Sequence, residues 1–248
     1  MNMATSITSL FTGIPASADK FLTGISSVLL VQTAGRVILF DTGPYAYRPI
    51  LQNRLKRLGI APEMIDTVVL SHVHWDHAAN ADLFPAASIV IHARELAYAD
   101  TPQEHDSSTP AYIGRALHKL RLTPVTGDTV ITDGVHVVDL PGHTPGSIGL
   151  MVGDTLLAGD AVGCARELVG RPVDAAAQGV AAESLQRAAA MADTIYPGHD
   201  RPFRLRPDFS YLEDYSLRIR FFVDPNGPDE EIRVGSFAAR SFANWPID

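Results

Sequence analysis

Ser71-His72-Val73-His74-Trp75-Asp76-His77 is the stretch that decides the reading of this chain. Three imidazoles and one carboxylate fall within the six positions 72 to 77, directly after the apolar run Thr67 to Leu70. Buried polar atoms without partners cost roughly 2–7 kcal/mol each, so such a cluster asks for a neutralising cation. Imidazole nitrogen combined with carboxylate oxygen suits zinc, manganese or iron. A turn after the strand can aim His72 and His74 at one ion, and Asp76 and His77 at its neighbour. A single histidine in a loop is ordinarily structural or exposed; the density of this group argues against that reading.

Three more residues sit in comparable places. His143 follows the apolar run Val135 to Leu140, Asp160 follows Thr155 to Ala158, and His199 follows Thr194 to Tyr196. Loops at strand ends are where a rigid sheet presents polar groups to one pocket. His143 would complete the first ligand set and His199 the second. Asp160, with two oxygens, can bridge the two ions, and water or hydroxide can fill the gap between them. Cys164 is a soft donor that the set does not require.

The rest of the chain reads as alternating strands and helices. Ile25 to Gln32 and Arg36 to Phe40 are expected to form a hairpin at Thr33-Ala34-Gly35. Tyr47 to Leu58 has helical spacing and stops at Gly59. Ala87 to His92 reads as a strand and Ala93 to Tyr98 as a short helix. An irregular loop rich in Ser, Thr and Pro follows over 100–112, with a helix expected over Ala111 to Leu120. Ser147 to Val152 and Thr155 to Ala158 form a second hairpin around Gly153-Asp154, and Glu183 to Ala192 is helical. Ser210-Tyr211-Leu212-Glu213 has capping-box spacing and predicts a helix from Tyr211 to about Phe222. Two sheets packed face to face with helices outside accommodate this order. The ligand candidates run from 72 to 199, so one domain over 1–248 with a core of about 25–205 is expected.

Composition narrows the class. The chain is 46% hydrophobic and 19% charged, with 19 Gly and 17 Pro, which fits a compact, loop-rich enzyme. A net charge of -8 and the lack of a dense Lys/Arg cluster disfavour nucleic acid as a partner. The only cysteine, Cys164, cannot form an intrachain disulfide, which fits a reducing compartment. The first twenty residues lack the pattern of a secretory signal, and no apolar run reaches membrane-spanning length, so a cytoplasmic protein is expected.

On His72-Val73-His74-Trp75-Asp76-His77, Pro141-Gly142-His143-Thr144, Gly159-Asp160, Pro197-Gly198-His199 and Leu39-Phe40-Asp41-Thr42-Gly43, the sequence resembles the metallo-β-lactamase fold superfamily. The resemblance covers about residues 25–205. It implies an α+β fold, a four-layer αββα sandwich with the active site along one edge. It also implies one metal on His72, His74 and His143, a second on Asp76, His77 and His199, and Asp160 between them. Two divalent ions follow, zinc first, with iron or manganese as alternatives.

The zinc β-lactamases lack this bridging aspartate. The set is similar to that of N-acyl homoserine lactonases, glyoxalase II-like thioesterases and small metallo-β-lactamase-domain hydrolases. The implied reaction is attack by a bridging hydroxide on a small ester, a lactone first, with Asp76 as acid/base. Phosphodiesterase or ribonuclease activity and thioester hydrolysis are the alternatives.

Lactonases of the family carry a tyrosine shortly after the bridging aspartate. Gly163 stands at that position here, and Tyr45, Tyr112 and Tyr196 are the candidate substitutes. Asp41 either supports the site or caps its turn, and Trp75 either walls the pocket or packs behind the ligand loop. Residues 100–118, which include His105, Asp106, Tyr112 and His118, read as a lid, a dimer contact or an ordinary exposed loop. The expected partner is a small-molecule substrate, with a homodimer left open.

Overall fold

The structure is a computed structural model that describes residues 5–16, 25–169, 179–214, 217–221 and 230–234. The first sheet has six strands in sequential order: β1 (Ser6–Phe11), β2 (Val28–Thr33), β3 (Arg36–Phe40), β4 (Thr67–Val69), β5 (Ser88–His92) and β6 (Leu122–Val125). The first three run antiparallel, and β3 through β6 are parallel neighbours. Parallel strands need crossovers, and helices supply two of them: α1 (Arg48–Arg57) lies between β3 and β4, and α3 (Ala93–Asp100) with α4 (Ile113–Leu117) between β5 and β6. The short α2 (Trp75–Ala78) carries the middle of the histidine motif.

The second sheet has seven strands. In chain order they are β7 (Thr129–Thr132), β8 (Val135–Asp139), β9 (Ile148–Val152), β10 (Thr155–Gly159), β11 (Thr194–Pro197), β12 (Phe203–Arg204) and β13 (Ser210–Tyr211). All neighbours are antiparallel except β10 and β11, which α5 (Arg166–Val169) and α6 (Val180–Met191) separate.

Side-chain alternation builds the layers. On β2, Leu29 and Val31 face the second sheet while Leu30 faces the outer helices. On β3, Ile38 and Phe40 point inward and Leu39 outward. On β9 and β10, Leu150, Val152 and Leu157 meet them between the sheets, while Met151, Leu156 and Ala158 pack outward with Ala188 and Ala192. Leu51, Leu55, Ile113 and Leu117 close the outside of the first sheet. Burial on both faces explains why these strands read as continuous apolar runs. The result is the expected four-layer αββα sandwich.

The predicted helix over residues 211–222 is not formed. Ser210–Tyr211 pairs with β12, and Leu217–Phe221 is strand β14, paired antiparallel with β15 (Glu230–Val234). The capping spacing is a local signal, and strand pairing overrides it. Strands β1, β6, β7, β12, β13 and β15 are additions to the sequence reading; β1, β6, β7 and β13 lie at the edges of the two large sheets. Residues 101–112 form the irregular loop that was expected, and α4 is shorter than the predicted helix over 111–120.

Candidate metal centre

The candidate residues leave the same end of the two sheets. β4 runs through Leu70 and Ser71 into His72, β8 is followed by His143, β10 by Asp160, and β11 by His199. Two glycines allow the close approach. Gly159 has φ +52, and a Cβ there would lie 2.6 Å from that of Ser71. A Cβ on Gly198 would collide with Asp160 Oδ1 and lie 2.9 Å from the Gly159 carbonyl carbon.

All seven predicted residues come together, in two groups. His72, His74, His143 and Asp160 form one, and Asp76, His77 and His199 the other; within each group, donor atoms lie within 4.8 Å of one another. His74 Nδ1 is 3.1 Å from His143 Nε2, and His143 Nε2 is 3.3 Å from Asp160 Oδ2. His77 Nε2 is 3.4 Å from His199 Nε2 and 3.6 Å from Asp76 Oδ2. His199 Nε2 lies 3.3 Å from Asp76 Oδ2 and 3.2 Å from Asp160 Oδ2. Asp160 Oδ1 is 3.3 Å from His77 Nε2, so this one carboxylate faces both groups. Cys164 lies outside both groups, with its sulfur 4.0 Å from Glu167 Oε1.

Protein partners hold four of the rings by one nitrogen each. Asp41 is buried and, among the described residues, is the only non-glycine with positive φ (59°). Its carboxylate accepts the Ser71 N–H at 2.7 Å, the Ser71 hydroxyl at 2.7 Å and the His77 Nδ1–H at 2.8 Å. Ser71 Oγ in turn accepts His72 Nδ1–H at 2.9 Å. The Ile25 carbonyl accepts His199 Nδ1–H at 3.2 Å, and Asp106 accepts His74 Nε2–H at 3.3 Å.

These bonds leave the second nitrogen of each ring, His72 Nε2, His74 Nδ1, His77 Nε2 and His199 Nε2, turned toward the centre. His77 Nε2 and His199 Nε2 face each other across 3.4 Å. His72 Nε2 and Asp160 Oδ1 are buried without a hydrogen bond. A cation among these atoms would compensate all of them at once. Tetrahedral coordination at about 2.0–2.1 Å gives donor spacings of about 3.3 Å, matching the distances above. The residues fit two divalent cations.

Electrostatics agree in direction. Burial, reinforced by His77, holds the His72 pKa well below its usual value. Burial works the same way on His77, but Asp160, Asp76 and Asp41 outweigh it and hold its pKa well above the usual range. Burial would raise the Asp160 carboxyl, yet His77 and His199 keep it well below. The same carboxylates that favour a proton on His77 would favour a cation beside it. A cation competes for the same atom.

Two supporting residues gave no sequence signal. Glu95 on α3 is buried; its Oε1 accepts the Val73 N–H at 2.9 Å, and its Oε2 accepts the Gly146 N–H at 2.9 Å and the Thr144 hydroxyl at 2.7 Å. It ties the His72–His74 turn to the His143 turn. Asn80 donates to the carbonyls of Thr42, Gly43 and Pro44, which fixes the bend after Asp41. Their partners are distant in sequence, so spacing could not reveal them.

Beside His143 opens a groove of about 410 Å³, walled by Arg94, Tyr98, Gln103, Pro141 and Val180. Of the tyrosines considered as substitutes at Gly163, Tyr45 is 65% and Tyr112 58% exposed, and Tyr196 packs on the inter-sheet core. Trp75 is partly buried, and its backbone N–H donates to the Ser108 carbonyl at 2.9 Å.

An αββα sandwich with histidines and aspartates gathered at its strand ends defines a metal-dependent hydrolase by class. The chain belongs to the metallo-beta-lactamase superfamily, whose sequence profile matches residues 22–199. It is 30% identical over 204 residues to metallo-beta-lactamase domain-containing protein 1 of Mus musculus, covering 78% of this chain and 69% of that protein. It is 29% identical over 169 residues to an N-acyl homoserine lactonase of Agrobacterium fabrum, covering 56% of this chain and 61% of that enzyme. The crystal structure of a quorum-quenching N-acyl homoserine lactone lactonase superposes with a TM-score of 0.61 at 23% identity, covering 85% of this chain and 100% of the other. That likeness bears on the fold alone. Among the described residues no helix is long and apolar enough to cross a membrane.

Proposed function

We propose that this protein is a dinuclear hydrolase of a small carboxylic ester, a lactone first. His72, His74 and His143 would hold one cation, Asp76, His77 and His199 the other, and Asp160 would serve both. The observation that carries this reading is the pair of inward nitrogens on His77 and His199, 3.4 Å apart, each with its other nitrogen already donating to the protein. When bound, two such cations, zinc first, would activate a water near neutral pH and polarise the ester carbonyl.

The chain's own groups do the rest. The groove beside His143 offers Pro141, Val180 and the Tyr98 ring to apolar parts of a substrate, and Gln103 and Arg94 to polar ones. Asp76, whose Oδ2 lies 3.3 Å from His199 Nε2, would orient the attacking water, take its proton and pass it to the departing alkoxide. Asp41, through its bond to His77, keeps that ring turned toward the centre. The Arg94 guanidinium is tied to Asp139 at 2.7 Å, and the net charge is -8; neither favours a phosphodiester. The single cysteine is consistent with work in a reducing cytoplasm.

The test is a hydrolysis panel of lactones, thioesters and phosphodiesters, run on protein of measured metal content. Lactone turnover that disappears on chelation and returns with added zinc is the expected result. Turnover of the phosphodiesters alone would move the assignment to a nuclease-type activity. Turnover indifferent to chelation would remove the metal reading.

A further inference from the structure

The loop over residues 101–112 has no regular structure, yet it reaches the centre at one place. Asp106 Oδ2 lies 3.3 Å from His74 Nε2, and both side chains are largely buried. The same oxygen accepts the Tyr98 hydroxyl at 2.6 Å and the Thr109 hydroxyl at 2.7 Å. Oδ1 accepts the Ser108 N–H at 2.9 Å. One residue further on from His74, the Trp75 N–H donates to the Ser108 carbonyl at 2.9 Å. The loop therefore grips both the ring of His74 and the backbone beside it. Four donors converge on one carboxylate, which is far more than an exposed surface loop needs.

We propose that Asp106 is the positioning residue of His74, and through it of the half of the centre built on His72, His74 and His143. The inference rests on the metal-centre reading given above. An imidazole has two nitrogens, and which one is bare depends on what the other donates to. With Nε2–H committed to Asp106, Nδ1 is left as an acceptor, and it is Nδ1 that faces His143 Nε2 at 3.1 Å. A carboxylate acceptor also makes the ring a better electron-pair donor than a neutral acceptor does. Asp41 plays this part for His77 from a strand end; Asp106 plays it for His74 from an irregular segment, braced by Tyr98 of α3. Tyr98 also walls the groove, so the brace of His74 and the substrate surface share a side chain.

The experiment compares the full chain with its Asp106→Ala, Asp106→Asn and Tyr98→Phe variants by two measurements. One is the ring tautomer of His74 in metal-free protein, read from long-range nitrogen–proton NMR correlations. The other is zinc affinity at each of two binding steps, read by competition with a chromophoric chelator. Wild type should show His74 as the Nε2–H form.

Asp106→Ala should give a mixture of ring forms and weaken one zinc step by about 10–100-fold, leaving the other within a few-fold. Asp106→Asn retains an acceptor without the charge and should fall between; it carries the test if the alanine variant does not fold. Tyr98→Phe leaves the carboxylate on His74 and should shift affinity little. Wild-type affinity at both steps with an unchanged His74 ring, or equal weakening of both steps, would overturn the proposal and leave Asp106 a loop staple. If the wild type takes up neither zinc nor iron(II) nor manganese(II), the metal-centre reading fails, and the tautomer comparison still decides the role of Asp106.

Discussion

Glu95→Ala tests whether the site depends on a buried carboxylate that has no role in chemistry. Glu95 is fully buried and satisfies three donors on two different turns. Thr144 can redirect its hydroxyl to Ser147 Oγ, 2.7 Å away, but the Val73 and Gly146 N–H groups have no such recourse. Two orphaned buried donors cost about 1–3 kcal/mol each. Burial holds the Glu95 carboxyl above its usual pKa, so removing the charge returns part of that cost. We expect a net loss of about 2–4 kcal/mol, a large part of the ~5–15 kcal/mol that a folded protein has. With a urea slope of about 2–3 kcal/mol/M, the unfolding midpoint of chelated protein should fall by about 1 M. Glu95→Gln keeps the shape and one acceptor and should lose less than half as much. Circular dichroism and fluorescence should give coincident transitions. A Glu95→Ala midpoint within about 0.2 M of wild type, at unchanged slope, would refute the accounting.

Three further outcomes are expected. Asp76→Asn should lower ester turnover by about 100-fold or more while shifting the unfolding midpoint little, with metal content measured on the same sample; unchanged turnover removes its proton-transfer role. Asp41→Asn replaces one acceptor oxygen by a donor beside Ser71 and His77, and should weaken zinc binding at the Asp76, His77 and His199 group by about 10–100-fold in a chelator competition. Metal binding should release protons near neutral pH: a cation needs neutral His77, whose pKa the neighbouring carboxylates hold well above the usual value, so affinity rises with pH until that proton is gone. Calorimetry in buffers of different ionisation enthalpy checks this, and zero proton release at pH 7 would contradict it.

The parts of the molecule that were legible in sequence are those whose cause is local. The histidine motif is contiguous, and the strands that carry it are buried on both faces, so they appear as apolar runs. Edge strands are a different matter. β6 contains Pro124, which argues against a strand except at an edge, and β6 is an edge; Val130 on β7 is 75% exposed and gives no inward signal. β1 is recognised only by its pairing to β2. Residues 211–222 failed in the opposite direction, because a favourable local cap lost to pairing between 217–221 and 230–234. Glu95 gave no signal, and Asp106, though singled out in its loop, could not be matched to His74 from spacing, since each acts on residues more than twenty positions away.

Four of the histidine rings are pinned through one nitrogen each, so the fold itself meets most of the cost of orienting the ligands. An ion that binds only this folded form adds about 2.7 kcal/mol of resistance to unfolding at a hundredfold excess over its dissociation constant. Heat tolerance thus becomes a gauge of metal binding, and a thermal-shift scan across metal salts ranks their affinities.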